Sequence, residues 1–153
     1  FVSGRVELEH WNPGELFQFY HDTWPLAGDL EFLRPMAGQE AAALAVRDGA
    51  CALYHGCAHN LLHGRSREAL EELYKAAGFT LRAKYFVETK TYLARQSDLL
   101  SGLRGEDHDL LMEGIALRSC PNLDDREFDR LSGKLVEWAG ALLATCVSKK
   151  FPV

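Results

Sequence analysis

Three of the six histidines in this chain, His55, His59 and His63, repeat at every fourth position. On a helix that spacing puts them on one face, and Asp48, seven residues before His55, shares it. Two chemistries follow. A neighbouring pair, His55 with His59 or His59 with His63, could chelate one metal ion. All three could not share it, because residues eight apart lie about 12 Å apart along a helix axis. The H-E-x-x-H pattern of zinc hydrolases is not present, so further ligands would come from elsewhere. Alternatively, a histidine that titrates near neutral pH can act as a general base, with Asp48 orienting His55. The default for such a face is structural, a polar stripe that hydrogen-bonds other helices. Ala45, Gly49, Ala52 and Gly56 interleave these residues and leave room for a ligand or a neighbouring backbone.

Other groups carry less. Asp107-His108-Asp109 has the letters of a D-x-D metal site, yet it stands where a helix begins, and acidic residues complement the helix dipole there. The four cysteines form no C-x-x-C pair and give neither a zinc knuckle nor a disulfide framework. Reduced thiols and a cytoplasmic location are the simplest expectation. The 153 residues, 47% apolar and 25% charged, suit a folded domain with a real core. A net charge of -5 argues against nucleic acid as the main partner, since phosphate neutralisation needs an excess of Lys and Arg. No apolar run approaches the ~20 residues of a membrane span, so no membrane partner is expected.

The elements that must position these residues read as follows. Val2 to Glu9 alternates in part and predicts a short strand, which needs a partner strand. Asn12-Pro13-Gly14-Glu15 starts a short helix, with Asn12 as cap and Pro13 in the first turn. Prolines and glycines break residues 23–38 into turns. Helices are predicted over 39–63 (stopping at Gly64), 66–77 (stopping at Gly78), 80–96, 107–118 and from Asp124 onward. In the last of these, Phe128, Leu131, Leu135, Trp138 and Leu142 form an apolar stripe. The expected fold class is mainly α: an antiparallel bundle of about five helices over 39–153, preceded at 1–38 by a strand-bearing segment.

Several short segments, in order, resemble kanamycin nucleotidyltransferases: Val6-Glu7-Leu8, Trp24-Pro25-Leu26, Asp48 with Cys51-Ala52-Leu53, Gln96-Ser97-Asp98-Leu99 with Ser101-Gly102, Asp107-His108, Glu137-Trp138, and Ser148-Lys149-Lys150-Phe151-Pro152. The resemblance runs from about Arg5 to the end. It implies a fold with a catalytic mixed sheet followed by a helical bundle. It also implies transfer of a nucleoside monophosphate from a Mg²⁺-bound nucleoside triphosphate to a hydroxyl of an aminoglycoside-like acceptor, and pairing of subunits into a homodimer.

Carried over residue by residue, the resemblance places the family's third metal-binding carboxylate at Glu7 and its catalytic glutamate at Asn60, beside His59. Asn60 cannot accept a proton at neutral pH, so either His59 takes over as base, or the substrate and its activation differ, or the site is inactive; Asp48, His55 and His63 would lie on the acceptor side. The Gly-Ser signature with its acidic pair is missing; Asp29-Leu30-Glu31 lacks the preceding Gly-Ser. The expectation is therefore a fragment carrying the last strand of a catalytic domain and the helical substrate-side portion of a transferase, inactive by itself. It would work with an N-terminal catalytic domain or subunit that brings most of the Mg²⁺ ligands. The alternative is a helical interaction module, similar to HEPN proteins, that partners a minimal nucleotidyltransferase. Arg104 and His108 resemble the arginine–histidine motif of HEPN ribonucleases, at a spacing one residue shorter. The predicted strand separates these readings, because a self-contained module has no use for it.

Overall fold

A computed structural model of the chain describes residues 4–148. Seven α-helices are present among them: α1 (Arg5–Glu9), α2 (Pro13–Asp22), α3 (Gln39–His59), α4 (Arg67–Thr89), α5 (Gln96–Gly102), α6 (Gly105–Arg118) and α7 (Asp125–Ser148). A 3-10 turn (Glu31–Met36) precedes α3, and a π-helical turn (Asn60–Gly64) follows it. The mainly helical bundle is as expected.

The expected strand is not. Residues 5–9 are helical: Leu8 N–H donates to Gly4 O at 3.1 Å, and Arg5 pairs with Glu9 one turn on at 2.8 Å. Alternation would put Val6 and Leu8 on the same face. Leu8 is instead buried beside Leu16 and Leu33, while Val6 is exposed. Five residues are too few to tell a period of 2 from one of 3.6, and the Arg5–Glu9 pair favours the helix. Val2 and Ser3 of the expected strand, and Lys149–Pro152 of the C-terminal resemblance, lie outside the described residues.

The helices expected at 66–77 and 80–96 are one. α4 passes through Gly78 because its buried stripe, Leu70, Tyr74, Ala77 and Leu81, continues in register across it. Packing of that stripe outweighs the roughly 1 kcal/mol that glycine costs inside a helix. α4 stops at Thr89 rather than Gln96. Lys90 adopts φ 60°, Thr89 Oγ1 accepts from Thr91 N–H at 3.2 Å, and Tyr92 leaves the helix.

Cross-helix contacts fix the arrangement. Gln39 of α3 donates to Val87 O of α4 at 3.1 Å, Gly49 lies against Thr80, and Gly56 against Leu73, so α3 and α4 are antiparallel. A Cβ on Gly49 would come within 2.4 Å of Thr80 Oγ1, so a side chain there would force Thr80 or the crossing to shift. Lys84 of α4 and Trp138 Nε1 of α7 (2.8 Å) both reach Asp107 of α6, which ties three helices at one carboxylate. Near the other end, Tyr74 OH donates to Leu131 O at 3.0 Å and the Cys57 thiol to Ser132 O at 3.4 Å. The anticipated stripe of α7 is buried throughout, from Phe128 to Leu142. Each such side chain contributes about 1.5–3 kcal/mol by leaving water.

The caps follow the local chemistry. Asn12 Oδ1 accepts from Gly14 and Glu15 N–H at 2.8 and 3.3 Å, and Asp124 Oδ1 accepts from Glu127 N–H at 2.8 Å. Phe17 of α2 belongs to the main core, whereas Leu8, Leu16 and Leu33 form a smaller apolar cluster. No helix among the described residues is long and apolar enough to cross a membrane.

Candidate functional site

α3 is the middle element, flanked by α2, α4 and α7. Its buried face carries Val46, Ala50, Leu53 and Cys57. Three of its small residues meet neighbouring helices: Ala45 lies beside Gly14 of α2, and Gly49 and Gly56 face α4. Part of the face that could have admitted a ligand is thus closed by protein.

What remains open is a cavity of about 320 Å³ between α2, α3 and α4. Glu15 and Gln18 of α2, Asp48, Gly49 and Ala52 of α3, and Thr80 of α4 line it. Its walls are mostly apolar, with two carboxylates (Glu15, Asp48), two amides (Asn12, Gln18) and the hydroxyls of Thr80 and Tyr92 at the polar positions. That is the usual make-up of a small-molecule site. Asp48 also pairs with its neighbour Arg47 at 2.9 Å. Among the described residues no hydrogen bond links Asp48 to His55, and two helical turns put them about 10 Å apart along the axis. The orienting pair considered for these residues does not form.

The histidines lie beyond this cavity. His55 is exposed and meets the ring of Tyr54 edge-on at 5.7 Å. His59 and His63 are also exposed, with ring centroids 5.2 Å apart, so they are the two side chains best placed to share a metal ion. Asn60 does something else. It is buried, its Nδ2 donates to Ser66 O at 2.9 Å, and its Oδ1 accepts from Ser66 N–H at 3.0 Å. Both ends of the amide hold the π-helical turn against the start of α4. Glycine at 64 serves the same latch, since a Cβ there would approach Asn60 Oδ1 to 2.7 Å. The left-handed residue that ends the turn is Arg65 (φ 47°). Its guanidinium lies over Phe128 and pairs with Asp125 and Asp129 of α7 at 3.4 and 2.9 Å.

Glu7 is exposed on α1, with its carboxylate turned back over Gly4. It belongs to no cluster of three or more ligand side chains among the described residues. Mg²⁺ takes oxygen ligands in near-octahedral array, of which Glu7 alone could supply one. Asp107 is committed to Lys84 and Trp138, and Arg104 Nη1 donates to Ser101 O and Leu103 O, both at 2.6 Å, so neither stands free for chemistry.

The cavity residues Glu15, Gln18 and Thr80 were not legible as site residues. Glu15 read as part of a cap, and the only signal for Thr80 was its place opposite Gly49, which needs the helix pairing to be known. In comparisons with known proteins, the chain matches no family model, no curated protein and no solved structure.

Proposed function

We propose that this chain is the acceptor-side helical portion of a nucleotidyltransferase similar to the kanamycin nucleotidyltransferases, and that it holds a small cationic polyhydroxyl compound for transfer carried out with a catalytic domain or subunit. The observation that carries the reading is the pair of carboxylates, Glu15 and Asp48, on the cavity between α2, α3 and α4. Two anionic groups above an apolar floor suit an amino sugar, whose ammonium groups pair with the carboxylates while its ring faces pack below. The net charge of -5 draws such a ligand in. The ordered run of short resemblances supports the same class of reaction. His59 lies two turns beyond Ala52 at the exposed end of α3 and is the candidate to receive the acceptor's proton. Most of the Mg²⁺ ligands come from the catalytic partner, with Glu7 as the one carboxylate that this chain would add.

Calorimetric titration of the chain with kanamycin tests this. Saturable binding, weakened about tenfold by Asp48→Asn or Glu15→Gln and undetectable with a neutral trisaccharide, is the expected result. Absence of binding at millimolar kanamycin would overturn it.

The helical interaction module is the second reading, and α1 favours it. Residues 5–9 are helical and pack on Leu16 and Leu33, where the transferase reading called for a strand. A chain that ignores kanamycin yet forms a stable complex with a minimal nucleotidyltransferase would support that reading instead.

A further inference from the structure

A second cavity, of about 540 Å³, opens on an adjoining face of α4, with Phe79 between the two, and its assignment does not rest on the reading above. Lys75, Gly78, Phe79 and Arg82 line it from α4 at positions i, i+3, i+4 and i+7, a single helix face. Arg118 and Gly114 of α6 form the facing wall, and Trp24 stands at the rim, 89% exposed. α4 and α6 run antiparallel, with Tyr74 against Gly114 and Lys84 against Asp107. Lys75 and Arg118 therefore share one end of the cavity, and Arg82 lies two turns away, about 10 Å along α4.

The charges are unbalanced. Three cations face one carboxylate, Asp22, which already accepts a hydrogen bond from Tyr92 OH at 2.6 Å. Lys75 is partly offset by Glu72 at 3.3 Å. Arg82 is not offset in this way: its guanidinium lies 5.1 Å from the centroid of the Phe79 ring, and its Nε is buried with no hydrogen-bond partner. Among the described residues no carboxylate pairs with Arg82, so its guanidinium charge is available to an anion that enters the cavity. Cations beside the exposed Trp24 and the half-buried Phe79 suit a flat ring bearing negative charge.

We infer that this cavity binds a planar aromatic anion, its charged group on Arg82 and its ring between Trp24 and Phe79.

The probe is 1-naphthyl phosphate, titrated into the full chain by calorimetry and by tryptophan fluorescence. Its two halves, 1-naphthol and inorganic phosphate, are titrated separately. Expected are saturable binding of 1-naphthyl phosphate, binding of each half weaker by at least about tenfold, and quenching of Trp24. Arg82→Gln should raise the Kd about tenfold, the effect of one lost charged hydrogen bond. Arg118→Gln, at an exposed position, should raise it about threefold, and added salt should weaken binding. Should Arg82→Gln fail to fold, Arg118→Gln and Trp24→Ala decide. No saturable binding to the wild-type chain, equal binding of inorganic phosphate alone, or affinity unchanged in the folded variants would overturn the assignment.

Discussion

Asn60 and Ser66 exchange two hydrogen bonds, at 2.9 and 3.0 Å, across the turn that joins α3 to α4. Ser66 O has a second donor in Leu70 N–H, but Ser66 N–H depends on Asn60. Asn60→Ala should therefore lower stability by about 2 kcal/mol, one lost buried amide pair with a donor left unpaired. Asn60→Glu should destabilise at least as much, because its carboxylate cannot donate to Ser66 O. Urea unfolding midpoints measure both, and wild-type stability in either variant would rule out the latch.

Asp107 joins α4, α6 and α7 through Lys84 and Trp138. Its side chain is only 16% exposed and Lys84 is 27% exposed, so solvent screens the pair less than a surface one. Asp107→Ala should cost about 2 kcal/mol, since it leaves the Trp138 indole N–H unpaired and leaves Lys84 with only the longer contact to Glu88 at 4.0 Å. Asp107→Asn should cost less, because an amide oxygen still accepts from Trp138. Chemical denaturation followed by Trp138 fluorescence gives the comparison, and equal losses would count against this division of roles.

His21 stacks on Tyr92 with ring centroids 4.4 Å apart, and it touches Phe17 and Phe86. Burial holds its imidazole below the ordinary value of 6.5, against smaller upward pulls from the Ala37 carbonyl and Asp22. With its pKa depressed on folding, His21 contributes stability that is present above the unfolded value and lost as pH falls through the folded one. The wild-type chain should thus lose stability between about pH 7 and pH 5 more steeply than His21→Phe, which keeps the stack without the charge. Parallel slopes for the two proteins would refute this.

The Cys57 thiol is fully buried, donates to Ser132 O, and is pushed up to about 11 by that burial. Thiolate is the reactive form. Near pH 8, iodoacetamide should label the exposed Cys51 and Cys120 quickly and Cys57 only after unfolding, as read by mass spectrometry of digests. Labelling of Cys57 at the rate of Cys51 would show that this part of the core opens readily.

Much of the bundle was legible where long-range periodicity and capping chemistry agreed. The stripe from Phe128 to Leu142 spans four turns, and Asn12-Pro13 admits few conformations. The errors arose where a local rule met a tertiary one. Gly78 reads as a stop until Leu70, Tyr74, Ala77 and Leu81 are seen to form one buried stripe. That break also hid the spacing of Lys75, Phe79 and Arg82, which only a continuous helix places on one face. Val6-Glu7-Leu8 is too short to carry a period. For the candidate site, Asp48, His55 and His59 fall on α3 as expected and His63 on the π-helical turn after it, but the contacts that close this region, Asn60 with Ser66 and Gly49 with Thr80, are ones that spacing along one helix does not encode.

Arg65 makes the turn after α3 more than a tether. Held by Asp125 and Asp129 and laid over Phe128, this left-handed residue rivets the connection to the first turns of α7. Lengthening the chain at 64–66 would therefore loosen two helix junctions at once, so this short loop is a poor place to graft a tag or to open new termini.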